Sequence, residues 1–274
     1  MKKSRKNTTR CAFVGLRRHT HVERSEILTE FIVPTLRKEL GRNLIAIAAD
    51  GSFARREDGP YSDLELMIFV EDKKDLPFGF SRVHDGLLIE GLFVTEQEFH
   101  RMIHEPNEQW YIAGSDRLFA VTNPAFVKRL KKYHVRDRAQ KFRRMVRGAT
   151  HEVQEAFGKL FNAIDRRNRE NLFIVLSETV TAVLKFVSYI NQKPYTSSGK
   201  FITEARTMKI KPDGLNGFLR VVVANKYPDW DLLQEAAEIL FKGIETFLKK
   251  RYGRELYDSD LSRIINKNRN NKRR

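Results

Sequence analysis

The sequence predicts an α+β fold, with a mixed sheet and flanking helices in the N-terminal half and an all-helical bundle in the C-terminal half. Two observations lead to this prediction. Short apolar runs bounded by turn residues occur up to residue 94, whereas long stretches of helical periodicity dominate beyond residue 123. Hydrophobic residues make up 41% of the 274 residues, so a core can form and a wholly disordered chain is excluded.

The N-terminal half predicts a helix followed by strands. Apolar residues at helical spacing predict a helix over residues 25–40, which Gly41 ends and in which Pro34 predicts a kink or a shorter helix. Thr95 and Glu98 form a capping box that opens a short helix. Asp85-Gly86 marks a turn. Three strands are predicted, at Leu44–Ala49, Asp63–Val70 and Leu87–Val94, with a loop over Asp50–Ser62.

The C-terminal half is predicted to be helical throughout. The predicted helices span residues 124–133, 139–166, 170–190 and 231–251. The chain is therefore divided into a basic N-terminal extension (1–24), a first domain (25–134), a helical domain (135–258) and a basic disordered tail (259–274).

The formal charge of +16 is unevenly distributed along the chain. Residues 1–24 and 263–274 together hold thirteen of these net charges, and Lys128–Arg147 alone carries +9. The rest of the chain is mildly acidic. The overall charge suggests a nucleic-acid partner, but its distribution leaves a positively charged substrate open as well.

Cysteine content and hydropathy exclude several classes of protein. Cys11 is the only cysteine, so neither an intrachain disulfide nor a cysteine zinc cluster can form. The longest apolar stretch, Leu172–Ile190, contains Glu178 and Lys185 and is typical of a buried helix rather than a membrane span. We therefore expect a cytoplasmic protein without a membrane partner.

The most informative segment runs from Gly51 to Glu65. Gly51 permits close approach of the backbone to a phosphate, and the Ser52 hydroxyl and Arg55 guanidinium can bind phosphate oxygens. Asp63 and Glu65 project from the same side of a strand, because strand side chains alternate. Such a carboxylate pair is suited to Mg²⁺.

Glu90 is the only charged residue of its predicted strand. If that strand lies beside the one that begins at Asp63, Glu90 completes a carboxylate triad of the kind used in two-metal nucleotidyl transfer. The alternative is structural. An Asp-x-Glu pair is common on solvated strand faces, and Glu90 could protect a sheet edge.

The segment Gly51–Glu65 resembles the Gly-Ser…Asp-x-Asp/Glu signature of the polymerase-β-like nucleotidyltransferase superfamily. Its string Asp58–Asp63 is similar to the kanamycin (aminoglycoside) nucleotidyltransferase family. Residues 139–142 resemble the start of that family's helical domain, and residues 195–198 with 203–205 resemble its interhelical loop. The resemblance implies that residues 25–134 form a polymerase-β-like nucleotidyltransferase domain and that residues 135–258 form a helical substrate and dimerisation domain.

The family resemblance also implies roles for individual residues. Ser52 and Arg55, beside Gly51, would bind ATP, and Lys159 would contact the nucleotide. Asp63, Glu65 and Glu90 would hold Mg²⁺, so Asp63 and Glu65 also count as catalytic. Glu155 would be the general base, with Glu152 as the competing candidate because the assignment needs a one-residue gap after Phe142. Family members place the active site between two protomers, which implies a homodimer.

The implied reaction moves AMP from ATP to an aminoglycoside hydroxyl, by family precedent the 4′ hydroxyl, and releases pyrophosphate. Acidic residues should bind the amines of such a polycation. The candidates are Glu57, Asp58, Glu152 and Glu204, and the aromatic candidates for ring stacking are Tyr61, Trp110, Tyr111 and Tyr195.

Two alternatives to drug modification stay open on the sequence. A nucleotidyltransferase of the same fold could act on RNA or protein, with the basic tails making weak RNA contacts. A non-catalytic, antitoxin-like module could have kept the fold, although no carboxylate of the catalytic type is missing.

Overall fold

The computed structural model of the chain describes residues 16–106, 118–133, 136–224 and 226–253. These residues form two compact units, an N-terminal unit that ends at Arg136 and a helical unit that begins at Asp137. Several sequence predictions lie outside the described residues: Cys11, Trp110, Tyr111, the first part of the extension (1–15) and the tail (259–274).

The N-terminal unit opens with one long helical segment. Helix α1 (His21–Glu26) begins at a capping box of Thr20 and Glu23 and leads through a π-helical stretch (Ile27–Ile32) into α2 (Val33–Leu40). The wider turns precede Pro34, whose ring would clash with a carbonyl of a regular α-helix. The helix was predicted to begin at residue 25, whereas it begins at His21.

A mixed five-stranded sheet forms the centre of this unit. Its order is β3-β4-β2-β1-β5, and β2 and β4 run parallel, whereas the other neighbours are antiparallel. The strands are β1 (Leu44–Ala49), β2 (Leu64–Val70), β3 (Gly79–His84), β4 (Leu87–Val94) and β5 (Phe119–Ala120).

Three further helices belong to the N-terminal unit. Helix α3 (Gly51–Ala54) is a single turn directly after β1, within the segment predicted as a loop. Helix α4 (Glu96–His104) begins at the predicted capping box of Thr95 and Glu98. Helix α5 (Pro124–Leu130) has its proline in the first turn, as predicted.

Alternation along β2 divides the hydrophobic residues between two cores. Leu64, Leu66 and Ile68 are buried in one core with residues of the helical segment that includes α2. Phe69 faces the second core, where it packs against Phe99 of α4 and Phe126 of α5. Glu65, two steps before Met67 on this second face, is exposed. The polar end of this sheet face therefore remains accessible to a ligand.

In the described residues of the helical unit, five α-helices surround one continuous core. Helices α6 and α7 pack along each other, with Phe157, Leu160, Val183 and Phe186 among the fully buried residues. The helices are α6 (Arg138–Asp165), α7 (Arg169–Asn191), α8 (Phe201–Thr207), α9 (Leu215–Val223) and α10 (Trp230–Tyr252). The predicted α+β fold, with a mixed sheet followed by a helical region, is thereby confirmed.

Among the described residues, α7 is long and apolar enough to cross a membrane. Most of its apolar stretch is buried inside the helical unit. Its hydrophobicity is therefore accounted for by core packing, as predicted for Leu172–Ile190.

Candidate active site

Three carboxylates meet on the uncovered part of the sheet. Asp63 directly precedes β2, Glu65 is its second residue, and Glu90 lies opposite Glu65 in the parallel pairing of β2 with β4. One carboxylate oxygen from each lies within 4.8 Å of those of the other two. The structure therefore brings together the triad that the strand pattern predicts.

The surroundings of Glu65 disfavour its charge. Glu65 is exposed by surface area, but the protein around its carboxylate partly removes the hydrating water, and this desolvation raises the pKa of Glu65 to about 7. Repulsion from Asp63, Asp50 and Glu90 adds to this effect. Burial also raises the pKa of Asp63, and Glu90 raises it further, whereas Arg24 lowers it. This concentration of negative charge and hard oxygen ligands is the environment that a divalent cation would stabilise.

Gly51 makes room for the Glu65 carboxylate. A Cβ at position 51 would overlap Glu65 Oε2, and the φ of Gly51 is +66°, a conformation that favours glycine. The backbone N–H of Asp50 also donates to the Glu65 carbonyl at 2.9 Å. The Gly-Ser turn and the carboxylate strand are therefore one packed arrangement.

The two predicted phosphate ligands lie on and directly after α3. Ser52 is half-buried on this turn, and the Arg55 side chain is 11% exposed and donates from Nε to Glu57 Oε2 at 3.2 Å. Arg55 Nη1 is buried and has no hydrogen-bond partner within the described part of the chain. A buried guanidinium donor that lacks an acceptor is suited to an incoming phosphate oxygen.

An open cleft of about 460 Å³ lies along the triad. Asp50 and the triad members Glu65 and Glu90 line its acidic side, and Phe78 and Phe80 supply an aromatic wall. Ser81 Oγ donates to Glu90 Oε1 at 2.9 Å and so fixes the orientation of this carboxylate. Neither Asp50 nor Ser81 is among the site residues predicted from the sequence.

Glu155 and Lys159 lie on α6 of the helical unit. Lys159 Nζ is 3.1 Å from Glu155 Oε1 and 3.5 Å from Glu178 Oε2 of α7, and all three side chains are at least half exposed. The hydrogen bond with Glu155 raises the pKa of Lys159. The competing base Glu152 instead accepts from Lys185 at 2.9 Å. These five residues line a groove of about 340 Å³ between α6 and α7.

Other candidates from the sequence have structural roles. Asp58 is only 2% exposed and is paired with Arg24, so its assignment to a drug amine is wrong. Glu204 Oε2 accepts from the backbone N–H of Thr196, and Tyr195 is fully buried, with its hydroxyl donating to the Leu184 carbonyl. Tyr61 is exposed, with the Arg18 guanidinium 5.9 Å from its ring centroid.

Comparisons with known proteins agree with this architecture. Residues 124–253, which include α5 to α10, match the family described as the KNTase C-terminal domain. An aminoglycoside nucleotidyltransferase (4′) from a Bacillus species is 24% identical over 251 residues, which are 90% of this chain and 96% of the relative. The protein of the same name from Staphylococcus aureus is 23% identical over the same shares.

The chain resembles the aminoglycoside nucleotidyltransferases along most of its length. The family resemblance drawn from the segments around Gly51–Glu65, residues 139–142 and the 195–205 loop is therefore confirmed. A solved nucleotidyltransferase-like protein from Exiguobacterium sibiricum 255-15 is 12% identical with a TM-score of 0.49, over 82% of this chain and 77% of that one.

Proposed function

We propose that this protein transfers AMP from ATP to a hydroxyl of an aminoglycoside antibiotic and releases pyrophosphate. The observation on which the proposal rests is the triad of Asp63, Glu65 and Glu90 beside Gly51-Ser52, in a chain that resembles aminoglycoside nucleotidyltransferases. The names of these relatives favour the 4′ hydroxyl as the position of transfer.

Asp63, Glu65 and Glu90 would hold Mg²⁺, the metal that such hard carboxylate ligands suit when phosphates complete the coordination. When bound there, divalent ions would lower the pKa of the acceptor hydroxyl and neutralise charge on the departing pyrophosphate. The protein holds the metal ligands in place, because the pairing of β2 with β4 keeps Glu65 and Glu90 opposite each other and Ser81 orients Glu90.

The nucleotide would be held by residues of both units. Ser52 offers a hydroxyl, and Arg55 offers the unpaired Nη1 donor for phosphate oxygens. Lys159, whose ammonium form is favoured by Glu155, would contact the nucleotide from α6. Because the family resemblance implies active sites shared between two protomers, we propose a homodimer. We also propose that it is cytoplasmic.

Glu155 is the proposed general base. Its side chain is 71% exposed, so an acceptor hydroxyl can reach it, whereas the Glu152 side chain is 42% exposed. Acidic residues line both candidate surfaces, with Asp50 in the cleft of the sheet and Glu178 in the groove of α6 and α7. Charge complementarity of this kind favours a polycationic acceptor.

An RNA acceptor is the second candidate, and one observation favours it. Arg143, Arg144 and Arg147 form an exposed basic stretch at the start of α6. A phosphate backbone is attracted to such a stretch without sequence preference. We rank RNA below the aminoglycoside because the relatives that this chain resembles over 90% of its length are named aminoglycoside nucleotidyltransferases.

The test is incubation of the purified protein with labelled ATP, Mg²⁺ and an aminoglycoside panel that includes kanamycin and neomycin. We expect nucleotidylated drug and pyrophosphate, and Asp63→Asn should abolish both by removing a metal ligand. Asp75→Asn, an exposed aspartate of the same unit, is the matched control and should retain wild-type turnover. If bulk RNA is labelled and no drug is labelled, the acceptor is RNA and not an aminoglycoside.

A further inference from the structure

A buried arginine links the N-terminal helix to the loop that leads into the metal site. Arg24 is fully buried, and its guanidinium donates to four acceptors. One of these acceptors is His19 in its own segment, whereas the others all lie in the loop of residues 57–62. The acceptors are the carbonyls of His19 (2.9 Å), Gly59 (2.8 Å) and Ser62 (3.0 Å) and Asp58 Oδ2 (3.0 Å).

The loop itself is closed by short-range hydrogen bonds. The Gly59 N–H donates to Ser62 Oγ at 3.0 Å, and the Ser62 N–H donates to the Gly59 carbonyl at 3.1 Å. The His19 N–H donates to the Pro60 carbonyl at 2.8 Å. Since Ser62 directly precedes Asp63, the position of this loop determines where β2 and its first carboxylate begin.

His21 connects the same loop to the Gly-Ser turn. Its Nδ1 donates to Asp58 Oδ1 at 2.8 Å, so both oxygens of this carboxylate are engaged. Its ring stacks on Phe53 of α3 at a centroid distance of 4.5 Å. The N-terminal segment therefore contacts both elements that carry the proposed site, the turn with Ser52 and the loop before Asp63.

A buried ion pair of this kind is a costly way to stabilise a fold, because well-packed hydrophobic residues serve at least as well. Its advantage is geometric. The planar guanidinium donates in fixed directions, which a flexible lysine cannot reproduce.

We propose that Arg24 and Asp58 are positioning residues, which hold the loop so that Asp63 is aligned as a metal ligand beside Glu65 and Glu90. This inference rests on the proposed function, since it concerns the same metal site. It assigns a role to Arg24, which the sequence pattern places within the basic N-terminal extension. It also gives Asp58, which was expected to bind the substrate, a structural role instead.

The test compares Arg24→Lys and Asp58→Asn with the wild type in the full-length protein. Arg129→Gln, which breaks the exposed pair with Glu96 in the same unit, is the control. Mn²⁺ affinity is measured by electron paramagnetic resonance below the unfolding transition, together with kcat and KM. We expect about 10–100-fold weaker Mn²⁺ binding and reduced kcat, the usual effect of removing an outer-shell partner. The KM for the acceptor and the properties of Arg129→Gln should stay unchanged.

His21→Phe keeps the test decisive if the Arg24 and Asp58 variants do not fold. His21 is partly exposed, and phenylalanine retains the stacking on Phe53 while it removes the hydrogen bond to Asp58. We expect weaker Mn²⁺ binding in this variant as well. Wild-type Mn²⁺ affinity in the folded variants would overturn the positioning role.

The proposed reaction and the positioning role fail in different ways. The wild type could bind Mn²⁺, lose this binding in Asp63→Asn, and still transfer no nucleotide. The proposed function would then be wrong. The Mn²⁺ affinities of the Arg24 and Asp58 variants would still decide the positioning role. If the wild type binds no Mn²⁺, the assignment of a metal site is wrong, and the positioning role is then overturned as well.

Discussion

The ionised carboxylate of Glu65 destabilises the metal-free fold, although the proposed function needs this charge to bind a metal ion. Its raised pKa of about 7 means that the ionised form is disfavoured in the folded protein, first by partial desolvation of the carboxylate and then by three neighbouring carboxylates. Compared with an unfolded chain, in which a glutamate has its ordinary pKa of 4.5, the folded protein binds a proton more readily. The metal-free protein should therefore gain stability as the pH falls through 7.

The corresponding prediction concerns Glu65→Gln in the presence of EDTA. At about pH 8 the substitution should raise the melting temperature, because it removes an ionised carboxylate from a crowded site. The difference should shrink as the pH falls through the folded pKa, since protonated Glu65 and glutamine are then similar. Thermal unfolding followed by circular dichroism measures this. A variant that is less stable than the wild type at about pH 8 would contradict the assigned surroundings of Glu65.

The choice between Glu155 and Glu152 can be decided by a pair of matched substitutions. Glu155→Gln should lower kcat by about 10²–10⁴-fold, the usual effect of losing a general base, and leave ATP binding intact. Glu152→Gln loses only a partly exposed pair with Lys185, and we expect a small effect on turnover. A large loss confined to Glu152→Gln would place the base one turn earlier on α6.

At the scale of elements, two helical glycines differ in what surrounds them. A Cβ on Gly243 of α10 would overlap the backbone of Asp213. A Cβ on Gly148 of α6 would meet no described atom within 4 Å apart from its own helix backbone. Close approach of backbone to helix thus explains the first glycine but not the second.

These glycines give a matched pair of predictions for stability. Gly243→Ala should lower the free energy of unfolding by about 1–3 kcal/mol, because the backbone contact must open. Gly148→Ala should raise it by about 0.5–1 kcal/mol, because alanine favours the helical state. Urea denaturation of both variants measures the two effects. If both substitutions stabilise the protein, α10 does not pack against residue 213 as described.

An element of this fold could be predicted from the sequence when its pattern lies within a few consecutive residues. Strands β1, β2 and β4 and the capping box at Thr95 follow from apolar runs and spacing that can be read within a few residues. Strand β3 has no such pattern, since Gly79–His84 mixes polar and apolar residues and is defined by its pairing with β4. The four residues of α3 are too few to show helical periodicity.

The same distinction applies to the candidate site. Asp63 and Glu65 are two residues apart, so their common side could be predicted, and Glu90 required only the adjacency of two strands. The roles of Arg24 and Asp58 could not be predicted, because these residues lie 34 positions apart and their pairing is set by tertiary structure. Nothing in the sequence near Ser81 indicates its hydrogen bond to Glu90.

At the scale of the whole molecule, the proposed sharing of sites between protomers can be tested by mixing inactive proteins. Asp63→Asn lacks a proposed metal ligand and Glu155→Gln lacks the proposed base, so each is expected to be inactive alone. Once subunits exchange, a mixed dimer should contain one site with neither substitution, and activity should return. Absence of rescue after exchange has been verified by mass spectrometry would argue against shared sites.

The burial of Arg24 also bears on the order in which this unit assembles. Its loop acceptors lie 34 to 38 residues later in the chain, so during synthesis the arginine emerges well before they do. Burying a guanidinium without hydrogen-bond partners is costly. Docking of α1 onto the sheet is therefore unfavourable until the turn before β2 has formed. The N-terminal helix is therefore expected to close onto an existing sheet as a late step of folding. The geometry of the Asp63 loop would then be completed by the part of the domain that was synthesised first.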